Sequence, residues 1–153
     1  MISYIKKDVT TVTKGIIVHG CNCQGVMGSG VAKAIRDKWP GAFVAYRSWC
    51  ELHGLGEHHL LGGVVWYHVN DVLHIANALT QHFYGKDGKR YAEPRAIAMA
   101  LHQVTSFAEG VKLPIYMPRI GCGLGGLDWD ENVQPFVEVL SNDRSVDIYV
   151  CDL

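Results

Sequence analysis

Two short stretches concentrate the residues whose types and spacing could do chemistry: Gly25-Val26-Met27-Gly28-Ser29-Gly30 and Gly121-Cys122-Gly123-Leu124-Gly125-Gly126. Each follows an apolar run that reads as a strand and precedes residues that read as a helix. A strand, a glycine loop and a helix start, in that order, present unpaired backbone N–H groups and the positive end of a helix dipole, which suits an anion. Glycine lets the backbone curl and approach a ligand without a Cβ in the way. In an open α/β sheet, loops at the carboxyl ends of strands border one crevice. Two such loops on one edge therefore point to two anionic groups, or to one diphosphate held from both sides. One such loop alone is as readily a tight turn; two in equivalent contexts are more specific. Two common phosphate motifs do not account for the first loop. No Gly-x4-Gly-Lys-[Ser/Thr] string exists, and Gly25, Gly28 and Gly30 run in the reverse of the Gly-x-Gly-x-x-Gly spacing.

Between the strand and the first loop lies His19-Gly20-Cys21-Asn22-Cys23-Gln24. A histidine, with its reference pKa near 6.5, can give or accept a proton near neutrality; the plainer reading of His19 is a core residue at a strand end. Asp128 follows the second loop and could orient a water or an imidazole, or simply cap the next helix. His19, Cys21 and Cys23, with His53, His58 and His59, invite a metal reading. Zinc sites, however, usually show Cys-x2–4-Cys pairs, and a lone Cys-x-Cys reads as small packing residues, so no metal and no cofactor are expected. Cys122 sits between two glycines that a phosphate loop explains better than a nucleophile does. Lys86 and Lys89 lie in Tyr84-Gly85-Lys86-Asp87-Gly88-Lys89-Arg90, which reads either as a solvated turn or as a source of a reactive amine. Trp39, Trp49, Trp66 and Trp129 fall mostly at core positions.

These groups must be held by a layered frame. Ile2–Ile5, Gly15–Gly20, Val64–Val69, Val72–Ala76, Leu113–Met117 and Val146–Val150 read as strands, the second buried on both faces. Asn70-Asp71 is a turn between the third and fourth. Val31, Ile35 and Trp39 predict a helix from near Ser29 to before Pro40. Phe43, Tyr46, Cys50 and His53 predict a second, closed by Gly54. Ile97, Leu101, Val104 and Ala108 predict a third, opened by Glu93-Pro94 and ended by Gly110. Val133, Val137 and Leu140 predict a fourth with Pro135 in its first turn. Alternating strands and helices define an α/β domain with a mostly parallel central sheet.

The 153 residues make one domain, 1–153. Hydrophobic residues are 48% and charged residues 19%, a globular composition. The net charge of −1 argues against a sequence-independent duplex binder, so no strong nucleic-acid binding is expected. No apolar run approaches the roughly 20 residues of a membrane span, and Met1–Asp8 lacks the apolar core of a signal peptide. Five cysteines without a disulfide-framework spacing read as reduced. A cytoplasmic monomer is the expectation.

Taken together, the strings resemble the macro domain family, which binds ADP-ribose, and the resemblance runs over nearly the whole chain. Lys7-Asp8-Val9-Thr10 is similar to the family's Gly-Asp-[Ile/Val]-Thr start, which implies an Asp8 contact to the adenine amino group with Val9 beside it. Cys21, Asn22 and Gln24 fall in the loop that holds the distal ribose, Asn22 matching its asparagine. Met27, Gly28, Ser29, Gly30 and Val31 match the first diphosphate loop. Pro118, Arg119, Ile120, Gly121, Cys122, Gly123, Leu124 and Gly125 match the second. Thr80 and the terminal Leu153 complete the implied ligand contacts. The resemblance implies a three-layer α/β/α fold with a mixed, mostly parallel sheet.

Branch features divide. The second loop is similar to that of terminal ADP-ribose glycohydrolases and a DNA de-ADP-ribosylating antitoxin, but Gln81 stands where those enzymes carry lysine and Gly125 where the human-type ones carry aspartate. A glutamine cannot form the covalent adduct that an amine makes with a ribose aldehyde. His19-Gly20-Cys21-Asn22-Cys23 and Thr80-Gln81-His82-Phe83-Tyr84-Gly85 instead resemble the branch acting on ADP-ribose 1″-phosphate, which implies His19 as the catalytic histidine; Asp128, beside the second loop, is the candidate catalytic partner by position. The expected function is hydrolysis of that phosphate; the alternatives are a non-catalytic ADP-ribose-binding module, or a hydrolase of ADP-ribosyl or O-acetyl-ADP-ribose esters. A chain of this size without further domains favours a small-molecule enzyme by analogy.

Overall fold

A computed structural model describes residues 1–153. The chain runs β1 (Ile2–Lys6), β2 (Gly15–Asn22), α1 (Gly30–Lys38), α2 (Pro40–His53), β3 (Val64–His68), β4 (Leu73–Gln81), α3 (Pro94–Val111), β5 (Ile115–Met117), α4 (Gln134–Arg144) and β6 (Ile148–Asp152). One six-stranded sheet has the order β1-β6-β5-β2-β4-β3. All neighbours pair in parallel except β3, which runs antiparallel to β4. The mixed, mostly parallel sheet is covered on both faces, an α/β architecture.

The side-chain alternation of the strands creates the two covers. Ile16, Val18, Ala76, Ala78, Ile115, Met117, Ile148 and Val150 face α3 and α4, meeting Ile97, Leu101, Val104, Val133 and Val137 in the larger core. Ile17 and Ile75 face Ile35 and Ala42 of α1 and α2. Further along the same face, Cys21 and Leu79 pack with Cys23, Tyr46 and Cys50. The cysteines of the Cys-x-Cys pair are thus core residues, and burial raises both thiol pKa values, that of Cys23 to about 12.

Several boundaries differ from the sequence pattern. β4 continues past Ala76 to Gln81, because Asn77 and Thr80 are buried with the apolar residues around them. Gly110 stays inside α3; the helix ends one residue after it, and Lys112 takes the left-handed turn (φ 57°) usually left to glycine. β5 is shortened to three residues. Gly54 does terminate α2 in the left-handed region, and Pro135 lies in the first turn of α4. Ahead of α4, residues Trp129–Val133 form a π-helical turn. No helix is long and apolar enough to cross a membrane.

Candidate functional site

A cleft of about 690 Å³ opens over the carboxyl ends of the parallel strands. The strand order fixes its layout. At its centre are the loop after β2 with the start of α1 (Gly28 to Ala32) and the loop after β5 (Pro118 to Gly125); one end is bounded by Cys151 and Asp152 at the end of β6 and by Leu153, the other by Thr80 and Gln81 at the end of β4 and by Tyr84, Gly85 and Lys86 beyond it. A second recess of about 350 Å³, between Lys7, Lys14, Pro114 and Tyr116, holds neither a glycine loop nor a buried polar side chain.

The glycines of the two loops serve different ends. A Cβ built on Gly123 meets nothing within 4 Å, and one on Gly28 meets only Val26 at an ordinary 3.6 Å. Neither has a positive φ. Nothing inside the protein therefore requires glycine at these two cleft-lining positions; their bare faces leave room for something outside it. Gly125 and Gly126 are the opposite case. A Cβ on Gly125 would stand 2.6 Å from the Gly121 carbonyl oxygen and 2.8 Å from Ala92 Cβ. On Gly126 it would stand 2.8 Å from the Lys89 carbonyl oxygen. This pair is needed for packing: the Gly125 carbonyl accepts from Tyr91 N–H at 2.8 Å and Ala92 N–H at 3.0 Å, joining the second loop to segment 82–91. An aspartate has no room at position 125.

His19 and Asn77 are register partners on β2 and β4. His19 Nε2 donates to Asn77 Oδ1 at 2.6 Å, while Asn77 Nδ2 donates to the Ala42 carbonyl of α2 at 3.2 Å. The amide oxygen can only accept, so Nε2 carries the proton and Nδ1 does not. His19 is 1% exposed at the floor of the cleft, and desolvation outweighs the Asn77 bond to lower its pKa to about 4. The expected titration near neutrality is corrected: the imidazole is neutral at pH 7, and only proton acceptance is open to it. Asn77 was not singled out in the sequence as the partner; an asparagine in register with a strand-end histidine becomes visible only when β2 and β4 pair.

The other sequence-derived candidates divide. Asn22 lines the cleft, but its Oδ1 accepts from Gln24 N–H at 2.9 Å and Val26 N–H at 3.3 Å, its Nδ2 donates to the Val26 carbonyl, and the Tyr46 hydroxyl lies 2.6 Å from its backbone oxygen. It shapes the first loop. Cys21, Ser29, Gly30 and Val31 line the cleft with Thr80, as do Pro118, Arg119, Ile120, Gly121, Cys122 and Leu124. Five candidates do not line it. Met27 is 1% exposed and packs in the core beneath the first loop. Gln24 turns away to donate to the His82 carbonyl at 3.0 Å. Val9 packs in the core. The Asp8 carboxylate accepts from Thr10 N–H at 2.9 Å and Thr10 O–H at 2.7 Å, capping a short turn, and those bonds lower its pKa. Asp128 accepts from Glu131 N–H at 3.0 Å and caps the π-helical turn. The structure gives Asp128 the role of a helix cap in place of a group aimed at the cleft.

Sequence reading missed the character of the two ends. At one, Arg119 grips Asp152 through two bonds, 2.9 and 3.1 Å, with its guanidinium 5.1 Å from the Tyr4 ring and 5.7 Å from that of Trp129. The Arg119 bond holds the Asp152 carboxyl below its ordinary range. At the other end, Tyr84 and Phe83 stack with centroids 4.8 Å apart. The Gly-flanked basic stretch was the available signal there.

A mixed, mostly parallel sheet of this order, with two glycine loops facing one cleft at its carboxyl edge, defines an α/β domain with a built crevice at the strand ends. The family model for the Macro domain matches residues 18–136, and the chain belongs to that family. Among curated relatives, the ADP-ribose 1″-phosphate phosphatase of Debaryomyces hansenii is 26% identical, with 99% of this chain and all of that protein covered. A solved structure from Bacteroides thetaiotaomicron, of unknown function, is 32% identical with a TM-score of 0.88, covering 100% of this chain and 98% of that one. The macrodomain of Thermus aquaticus DarG shares the fold, with a TM-score of 0.80 at 22% identity over 100% and 99% of the two chains.

Proposed function

We propose that this chain binds ADP-ribose and hydrolyses the phosphate of ADP-ribose 1″-phosphate. The observation that carries the reading is the pair of bare glycine faces, Gly28 and Gly123, on opposite loops of one cleft with no packing or conformational need for glycine. A diphosphate fits between such loops, held by backbone N–H groups. A sugar then extends toward each end. The full-length likeness to the Debaryomyces hansenii phosphatase supports the finer reading.

In this reaction a water oxygen bonds to phosphorus, the bond from phosphorus to the ribose oxygen breaks, and that oxygen gains a proton. The loop amides supply charge neutralisation. Neutral His19, at the cleft floor, is the group available to take the water's proton. A second reading, binding without turnover, is favoured by the burial of His19 and the capping role of Asp128.

Calorimetry and phosphate-release assays separate the readings. ADP-ribose should bind near micromolar, about −8 kcal/mol, and AMP much more weakly. Equal affinities would mean that the distal half of the cleft contributes nothing. Phosphate release from ADP-ribose 1″-phosphate, lost in His19→Ala while ADP-ribose binding persists, is expected of the enzyme; binding without release identifies the module.

A further inference from the structure

The cleft holds two side-chain cations, and they differ in one respect. Arg119 is neutralised by Asp152 at the β6 end. Lys86, at the β4 end, forms no ion pair, whereas Lys89 in the same loop pairs with Asp87. His19, beneath the cleft floor, is neutral at pH 7. The β4 end is therefore equipped with one free positive charge.

The loop that carries Lys86 is built. Asp87 accepts from Lys89 N–H at 3.2 Å and from the Tyr91 hydroxyl at 2.8 Å. Gln81 Nε2 donates to the Phe83 carbonyl at 2.8 Å, and Gln81 bridges to Ala92. Tyr91 and Ala92 are tied to Gly125. Gly85 lets the Tyr91 ring close against the backbone, since a Cβ there would meet the hydroxyl at 2.3 Å. These bonds occupy Asp87, the carboxylate next to Lys86, and set the lysine at the cleft wall.

We propose that Lys86 is the specificity residue that recognises a terminal phosphomonoester on the distal sugar. The inference rests on the ADP-ribose 1″-phosphate reading and deepens it. The glycine-loop amides at the centre answer the diphosphate. A phosphomonoester beyond the sugar adds up to two further negative charges, and Lys86 is the cleft cation left free to meet them beside the loop amides. Its ammonium donates to phosphate oxygens as a point charge and forms no covalent bond to the sugar.

The test compares wild type, Lys86→Met, Lys86→Arg and Lys89→Met on two ligands, ADP-ribose and ADP-ribose 1″-phosphate. Lys86→Met should raise KM for the phosphorylated ligand about 10- to 100-fold, the range of one charge-assisted hydrogen bond. It should shift the Kd of ADP-ribose far less. Lys86→Arg should recover most of the loss, and Lys89→Met should match wild type. An unchanged KM in Lys86→Met, with wild type active, overturns the role of Lys86 and leaves the function standing. Borohydride-dependent trapping of the sugar on Lys86 overturns it too, in favour of a covalent amine. A wild type that binds neither ligand overturns the function itself.

Discussion

Two glycines two residues apart in the second loop should respond in opposite ways to substitution. Gly123 faces open space and has an ordinary φ, so Gly123→Glu adds a side chain that displaces nothing. Exposed substitutions of that kind stay within about 0.5 kcal/mol, roughly 1–2 °C for a domain of this size. The carboxylate would stand where a phosphate sits. Two unit charges about 4 Å apart repel by about 4 kcal/mol at an effective dielectric constant near 20, which converts a micromolar ligand to about millimolar. Gly125→Asp behaves in reverse. Its Cβ would be 2.6 Å from a backbone oxygen and 2.8 Å from Ala92, and neither is the end of a flexible side chain. Overpacking of that sort costs about 1–3 kcal/mol, or about 2–12 °C in Tm. Scanning calorimetry gives the stabilities and titration calorimetry with ADP-ribose the affinities. An affinity within threefold of wild type in Gly123→Glu would refute the placement of phosphate at that face. A Gly125→Asp variant that melts with wild type would refute the packing account of the glycine pair.

His19 ties stability to pH. Its folded pKa of about 4 lies below the unfolded value near 6.5, so stability is full above pH 6.5 and is lost as pH falls toward 4. Wild type should lose about 3 kcal/mol more than His19→Gln over that interval in urea melts; parallel losses would contradict the burial of a neutral imidazole. In turnover, the limb due to His19 should lie near pH 4, with no inflection from it between pH 6 and 8. Asp128→Ala should remove a cap, costing about 1 kcal/mol and about 2–4 °C, with turnover per folded molecule unchanged. Gln81→Lys should give no glycohydrolase activity on ADP-ribosylated protein or DNA, because position 125 admits no carboxylate beside the new amine.

The sequence by itself determined the elements and the two loops. Apolar runs with period near 3.6 set four helices, Gly54 and Pro135 act where local chemistry puts them, and the strings around Gly28 and Gly123 carried the family. These are local signals, since backbone conformation at glycine and proline and the amphipathic period depend on near neighbours. Only the tertiary structure decided what each polar group does. The identical letters of Gly123 and Gly125 hide opposite roles, because the atoms that crowd Gly125 include Ala92, over thirty residues away in the chain. His19 reads as a neutral-pH proton carrier until β2 and β4 pair and bury it against Asn77, where desolvation removes its charge. Asp128 reads as a group at the cleft or as a cap and Asp8 as an adenine contact, and only the folded chain shows their carboxylates accepting from Glu131 and Thr10 N–H groups. Lys86 differs from Lys89 in having no carboxylate within reach, a property of where Asp87 points and not of the sequence around it.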